Sequence, residues 1–323
     1  MDIFYATLNQ MLVMFVFILA GFLLIKAKIL PENAHVVLAK LETYILLPAL
    51  TFSNWTKNCT TQNLVTNANL VLYGLGLMLI AVTLSKPLSR LFVRDVSAGE
   101  QAVYQRQIYR YAMTFGNYGF MGNFIVLSVW GDSRFFQYSI FTLMTQFICN
   151  SWGMLILIPR HKTQKGIRKG MVKRFLTPPI VALLSGCVVG ILGLKSYIPT
   201  FFLSACSDAG KCMGPIAMLI AGIVIGGYDF KELLGNKKVY LATLLRLVVL
   251  PAIFVLILKL VGANDLVQTL ALITFGTPLG LNTVVYPAAY GGDTKTGASM
   301  AMISHVLSVV TIPLMYLLFI ILL

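Results

Sequence analysis

Acidic side chains are scarce in this sequence. Asp and Glu together number 11 in 323 residues, Lys and Arg number 25, and charged residues make up only 11% of the chain. A soluble domain ordinarily carries about 25%, so the composition excludes a water-facing globular fold. Histidine is nearly absent, at 3 residues. The five cysteines (Cys59, Cys149, Cys187, Cys206, Cys212) form no CxxC pair and no Cys/His cluster at zinc spacing. No structural disulfide, no metal and no cofactor is therefore expected. The glycine loop of nucleotide hydrolases, the dinucleotide fingerprint, the nucleophile elbow and the HExxH helix are also missing. The chain reads as a non-enzyme that does not hydrolyse ATP.

A basic leader is missing as well. The N-terminus, "MDIFYATLNQ", carries an acid, so the first apolar run reads as a retained helix rather than a cleaved signal peptide. "NWT" and "NCT", at Asn54 and Asn58, are glycosylation triplets of a kind that also arises by chance.

Apolar length is abundant. Hydrophobic residues make up 58% of the chain. Segments of membrane length, about 20 residues, fall near 5–26, 36–55, 66–90, 104–130, 135–159, 177–194, 198–226, 239–261, 265–290 and 297–323. These predict an all-α polytopic membrane protein of ten transmembrane helices. With both termini outside, the inner loops hold 19 of the 25 Lys and Arg, among them the seven of "RHKTQKGIRKGMVKR" (160–174), and the outer loops hold four. That asymmetry is the positive-inside signature. It assigns the net charge of +14 to orientation in a cell membrane and contact with anionic lipid, not to nucleic acid.

Two of the ten spans contain poor helix formers at mid-depth. "FGNYGFMGNFIVLSVWGD" (115–132) and "FGTPLGLNTVVYPAAYGGD" (275–293) share an FG start, a glycine–asparagine pair and a GD end, about 160 residues apart. Prolines recur in step: Pro48 in span two with Pro215 in span seven, Pro87 in span three with Pro251 in span eight. Five spans recurring as five predict two inverted five-helix repeats, 1–159 and 177–323, joined by a basic inner loop, 160–176. Irregular backbone at bilayer depth survives only where protein or water satisfies it. The two motifs are therefore expected to be crossed broken helices in spans four and nine. Each break points a half-helix N-terminus, about half a positive charge, at the crossing, where a carboxylate would fit. Asn117, Asn123 and Asn282 add neutral amides, and either Asn117 or Asn123 can be the one that faces the substrate. Tyr118, Gly119, Pro278 and Thr283 lie in or beside the breaks and join them as substrate-site candidates.

These residues resemble the auxin efflux carrier family, which includes PIN-type auxin carriers and bacterial malate and malonate permeases. "LETYILLPALTF" looks like its second-span signature, "FGNYGFMG" and "PLGLNTVVYPAAYGGD" like its crossover helices, and "SDAGKCMGPIAM" like its seventh-span region. The resemblance covers essentially the whole chain. It implies a scaffold of spans 1, 2, 6 and 7 and a transport domain of spans 3–5 and 8–10, working as an elevator. It also implies a secondary carrier of a small organic anion, with a proton favoured over sodium as coupling ion and a homodimer as a possible assembly. By resemblance the fourth-span asparagine that binds the carboxylate is Asn117, and a second-span hydroxyl of the site is Thr51. The chain departs from the family in having Asn123–Phe124 where a proline often follows "MG", and in Lys211, which stands at an apolar position of plant members.

Ionisable groups inside spans are functional candidates by default. Asp208 and Lys211 share a helical face and read as a local ion pair or as coupling or charge-neutralising groups. Arg246 suits a carbonyl end or the inner water. Glu42, some four residues inside span two, could carry a proton, but it is expected instead to snorkel to the inner surface. His305 is either a satisfied core histidine or a proton relay. Gln146 and Asn150 lie one turn apart in span five. Two rivals stand beside the organic-anion carrier: a sodium-coupled bile-acid-type carrier, which needs acidic or multiple polar sodium ligands at the crossing, and a ligand-sensing membrane protein on a transporter fold.

Overall fold

In lipid an apolar run satisfies its backbone as a helix. The computed structural model, which describes residues 2–31, 33–97, 99–159, 177–290 and 292–322, is accordingly helical apart from one short bridge. The basic loop expected at 160–176 lies outside these residues. In chain order the main helices are α1 (Asp2–Lys26), α2 (Ala34–Asn58), α3 (Asn69–Phe92), α4 (Glu100–Thr114), α5 (Tyr118–Ile156), α6 (Pro178–Ile191), α7 (Thr200–Gly226), α8 (Lys237–Leu260), α9 (Asp265–Gly276), α10 (Asn282–Tyr290) and α11 (Lys295–Leu322).

Among the described residues seven of these helices, α1, α2, α3, α5, α7, α8 and α11, are long and apolar enough to cross a membrane. The ten expected segments differ from these seven for physical reasons. Helix α6 has 14 residues, about 21 Å at 1.5 Å per residue, which is short of a hydrocarbon core of about 30 Å. Segment 104–130 is split between α4 and the start of α5, and segment 265–290 between α9 and α10. Helix α5 runs 39 residues, about 58 Å if straight, nearly twice the core thickness. It is broken at Gly131, whose φ of 79° lies in the left-handed region where a side chain is strained.

Small residues set the closest helix contacts, as expected where lipid gives no hydrophobic drive for association. A Cβ at Gly222 of α7 would lie 1.9 Å from the Ile18 carbonyl of α1, and one at Gly190 of α6 would lie 2.5 Å from the Cys59 carbonyl at the end of α2. The thiols of Cys59 and Cys187 approach to 3.3 Å beside that second contact. Helix α3 meets α5 the same way, at Gly74 against Phe141. Helices α1, α2, α6 and α7 thus pack on one another, as do α8, α9 and α11, with α1 also touching α11.

Polar contacts gather the connections at two ends of the bundle. At one end Lys26 donates to the Tyr228 carbonyl, Lys238 to Phe92 and Arg106 to Val93 and Arg94, while Lys295 pairs with Glu232. At the other, Lys57 pairs with Asp132, and Gln137 donates to Asn67. The connections counted as inner in the sequence supply the first group, and those counted as outer supply the second. Asn54 is buried and donates its amide to the Asp132 carbonyl, so its glycosylation triplet is closed in the folded protein.

Glu42 is a correction. Its side chain is 1% exposed, not snorkelling, and one carboxyl oxygen has no protein partner among the described residues. It opens a five-residue π-helical turn, Glu42–Leu46, just before Pro48. Proline lacks an N–H and clashes with the carbonyl four residues back, and a widened turn accommodates both defects. The turn directs this side chain into protein. The same device recurs in α8, where Leu245–Val249 precedes Pro251 and holds Arg246. Pro87 and Pro215, by contrast, lie within regular α-helix. Prolines matched by repeat position therefore differ in local geometry, and Pro48 matches Pro251 instead.

Candidate functional site

Helix α4 ends at Thr114 with Phe115 extended, and α9 ends at Gly276 with Thr277 extended. The chain segments that follow, 115–117 and 277–281, meet. Gly116 and Leu279 form an antiparallel bridge, and the Asn117 N–H donates to the Pro278 carbonyl at 2.7 Å. Gly116 is required by this approach: a Cβ there would lie 2.5 Å from Arg246 Nη2 and 2.8 Å from the Thr277 carbonyl. The chain then re-enters helix at Tyr118 and at Asn282. Two helix C-termini and two helix N-termini therefore surround one junction.

Arg246 serves the C-termini. It is 1% exposed, and Nη1 donates to the carbonyls of Thr114 at 3.2 Å and Met113 at 3.4 Å, both at the end of α4. Nη2 donates to Thr274 at the end of α9, at 3.4 Å, and the guanidinium lies 5.9 Å from the Phe275 ring centroid. Its Nε–H has no protein partner among the described residues. Of the two alternatives for Arg246, the carbonyl end is the one realised.

His305 and Ser304 reach the junction from α11. Ser304 accepts the Leu279 N–H at 3.0 Å. His305 Nδ1 lies 2.7 Å from the Ala301 carbonyl, and Nε2 lies 3.2 Å from the Asn117 amide nitrogen. A carbonyl only accepts, so Nδ1 carries the proton and Nε2 of the neutral ring accepts from Asn117. His305 is thus satisfied in the core and is also bonded to the leading substrate-site candidate.

The other candidates divide. Asn282 donates to the Tyr111 hydroxyl at 2.9 Å, and that hydroxyl lies 3.3 Å from Cys149 Sγ. The Tyr118 carbonyl accepts from Tyr138. Thr283 is buried and donates to the Gly280 carbonyl, so its hydroxyl is committed within the break. A Cβ at Gly119 would meet nothing within 4 Å. Asn123 is half-buried at the start of the regular part of α5, whereas Asn117 is 3% exposed in the break itself. Thr51 donates back to Leu47 of its own helix. Asp208 and Lys211 pair at 2.8 Å with side chains 72% exposed on the outside of α7, so they are not buried charges. Gln146 and Asn150 are both half-buried on α5.

Sequence reading missed Ser304, Tyr111, Tyr138 and Cys149. Ser304 was written in "ISHVLS" beside His305, and Tyr111 stands four residues before the first break. Their contacts span 25, 171, 20 and 38 residues, beyond any local pattern.

A polytopic helical protein with two interrupted helices paired around buried polar groups has the build of a membrane transporter. The sequence pattern of the membrane transport protein family matches residues 6–316. The chain belongs to that family, which is auxin-efflux-carrier-like. It is also 23% identical, over 95% of its own length and 97% of the other's, to an uncharacterized transporter of the archaeon Methanocaldococcus jannaschii. The chain is a transporter, not an enzyme.

Proposed function

We propose that the chain is a secondary carrier of a small organic anion, a mono- or dicarboxylate, bound where segments 115–117 and 277–281 pair. The observation that carries this reading is the bonded junction of Asn117 with Pro278 and His305. Ten crossings, four of them helices of α1, α2, α6 and α7 acting as scaffold, account for the separation of the connections to two ends. The inverted repeat would place the crossed breaks at mid-depth, and an elevator-type slide of the remaining helices would alternate access.

Electrostatics favours an anion. Each helix end carries roughly half an elementary charge, negative at C-termini and positive at N-termini. Arg246 offsets the two C-termini with one full charge. The two N-termini, of α5 and α10, are then left with about one positive unit, the charge of one carboxylate. Of the acidic or multiple polar ligands that a sodium-coupled site needs, the one buried acid among the described residues, Glu42, lies on α2 and not on a junction helix, and the junction's polar groups Asn117, Ser304 and Thr283 are already bonded within the protein.

A proton fits as the coupling ion. Protonation of His305 at Nε2 would set that N–H against the Asn117 amide N–H. Turning the amide would present Oδ1 to the ring and free both amide hydrogens for a carboxylate. Proton and anion would then bind together. Arg246, Tyr111, Tyr118, Tyr138, Cys149 and Tyr286 are the other ionisable groups in or against the junction.

The test is uptake of radiolabelled carboxylates into proteoliposomes by Asn117→Ala. A hydrogen bond to a charged group contributes about 1.5–3 kcal/mol, so uptake at low substrate should fall about 10- to 100-fold with the fold intact. Unchanged uptake sinks the site.

A further inference from the structure

Three carbonyls from the C-terminal ends of two separate half-helices converge on one guanidinium. Carbonyls of half-helix C-termini are an ordinary seat for a coupling cation in transporters built this way. Here the seat is filled from within the chain. The π-helical turn Leu245–Val249 presents Arg246 to it, and the missing side chain at Gly116 admits the guanidinium. Among the described residues no carboxylate pairs with Arg246: the three salt bridges are Lys57–Asp132, Lys211–Asp208 and Lys295–Glu232. Its counter-charge is the two helix ends alone.

We propose that Arg246 is a resident cation, covalently tethered where a soluble coupling cation would bind, and that the carrier therefore works without sodium. A bound ion can leave when the site empties and a side chain cannot. The ends of α4 and α9 are then neutralised at every stage of the cycle, with or without substrate. The transport half of this inference rests on the anion-carrier reading; the cation seat does not.

The experiment compares melting of the purified protein in sodium chloride, guanidinium chloride at non-denaturing concentration and N-methylglucamine chloride at matched ionic strength. The native chain and Arg246→Lys should melt alike in sodium and in N-methylglucamine. Arg246→Gln should melt lower in N-methylglucamine and regain at least half of the loss in sodium or guanidinium. A native chain stabilised by sodium, or an Arg246→Gln variant indifferent to both small cations, overturns the proposal. Should Arg246→Gln fail to fold, the native chain decides through uptake: carboxylate accumulation driven by a pH gradient must persist when sodium is removed from both sides, and its loss overturns the proposal. A cation-responsive Arg246→Gln together with no carboxylate uptake in any medium would uphold the seat and remove the anion-carrier reading instead.

Discussion

Gly116 and Gly119 stand three residues apart in one motif and are glycine for opposite reasons. Gly116 has no room for a side chain, and Gly119 faces open space. Gly116→Ala should cost about 1–3 kcal/mol by overpacking against Arg246 and Thr277, read as a lower melting temperature. Gly119→Leu should melt normally and lose uptake, because its side chain would fill the space next to Asn117; full uptake would mean that the substrate does not use that space. His305 carries a prediction about pH. Uptake should rise as pH falls, since the protonated ring frees the Asn117 amide, and His305→Asn should flatten that profile. A slope unchanged in His305→Asn would assign the proton to another group. Both His305 and Arg246 were legible in the sequence as polar residues in apolar runs. Their partners lie 188 and 132 residues away, so the sequence offered alternatives for each but could not name the partner that decides between them.

Among elements, the breaks were legible because Gly, Asn and Pro are poor helix formers wherever they fall. Segment 115–117 is shorter than the glycine-rich motif suggests, because residues 118–122 recover as a π-helical turn rather than staying open. The two widened turns before Pro48 and Pro251 were not legible, and they decide where Glu42 and Arg246 point. The expectation that Glu42 snorkels failed on that account. Gly131 is the element-scale counterpart of the junction glycines. Gly131→Ala forces a side chain into the left-handed region at about 1–2 kcal/mol, so melting should fall while substrate affinity stays. A loss of affinity instead would tie the break within α5 to the site.

For the molecule as a whole, the charge asymmetry was the strongest sequence signal, and the two-ended clustering of the connections follows it. How the helices group depends on small-residue contacts that no hydropathy pattern records. One such contact joins the proposed scaffold to the proposed moving part: a Cβ at Gly214 of α7 would lie 2.0 Å from the Phe124 ring of α5. Cysteines at Phe124 and Gly214 should cross-link under oxidant and stop uptake, with recovery in reductant, if α5 slides along α7. A cross-linked carrier that transports at its usual rate would show that these helices move as one body.

The Cys59–Cys187 approach has a consequence of its own. The two thiols lie 3.3 Å apart where α2 meets α6, outside the proposed moving helices. Their oxidation, two electrons and two protons passing to an added oxidant, would staple stationary parts to each other. Such a bond would toughen the carrier against heat without slowing it, which makes this pair a place to strengthen the protein that leaves its working stroke untouched.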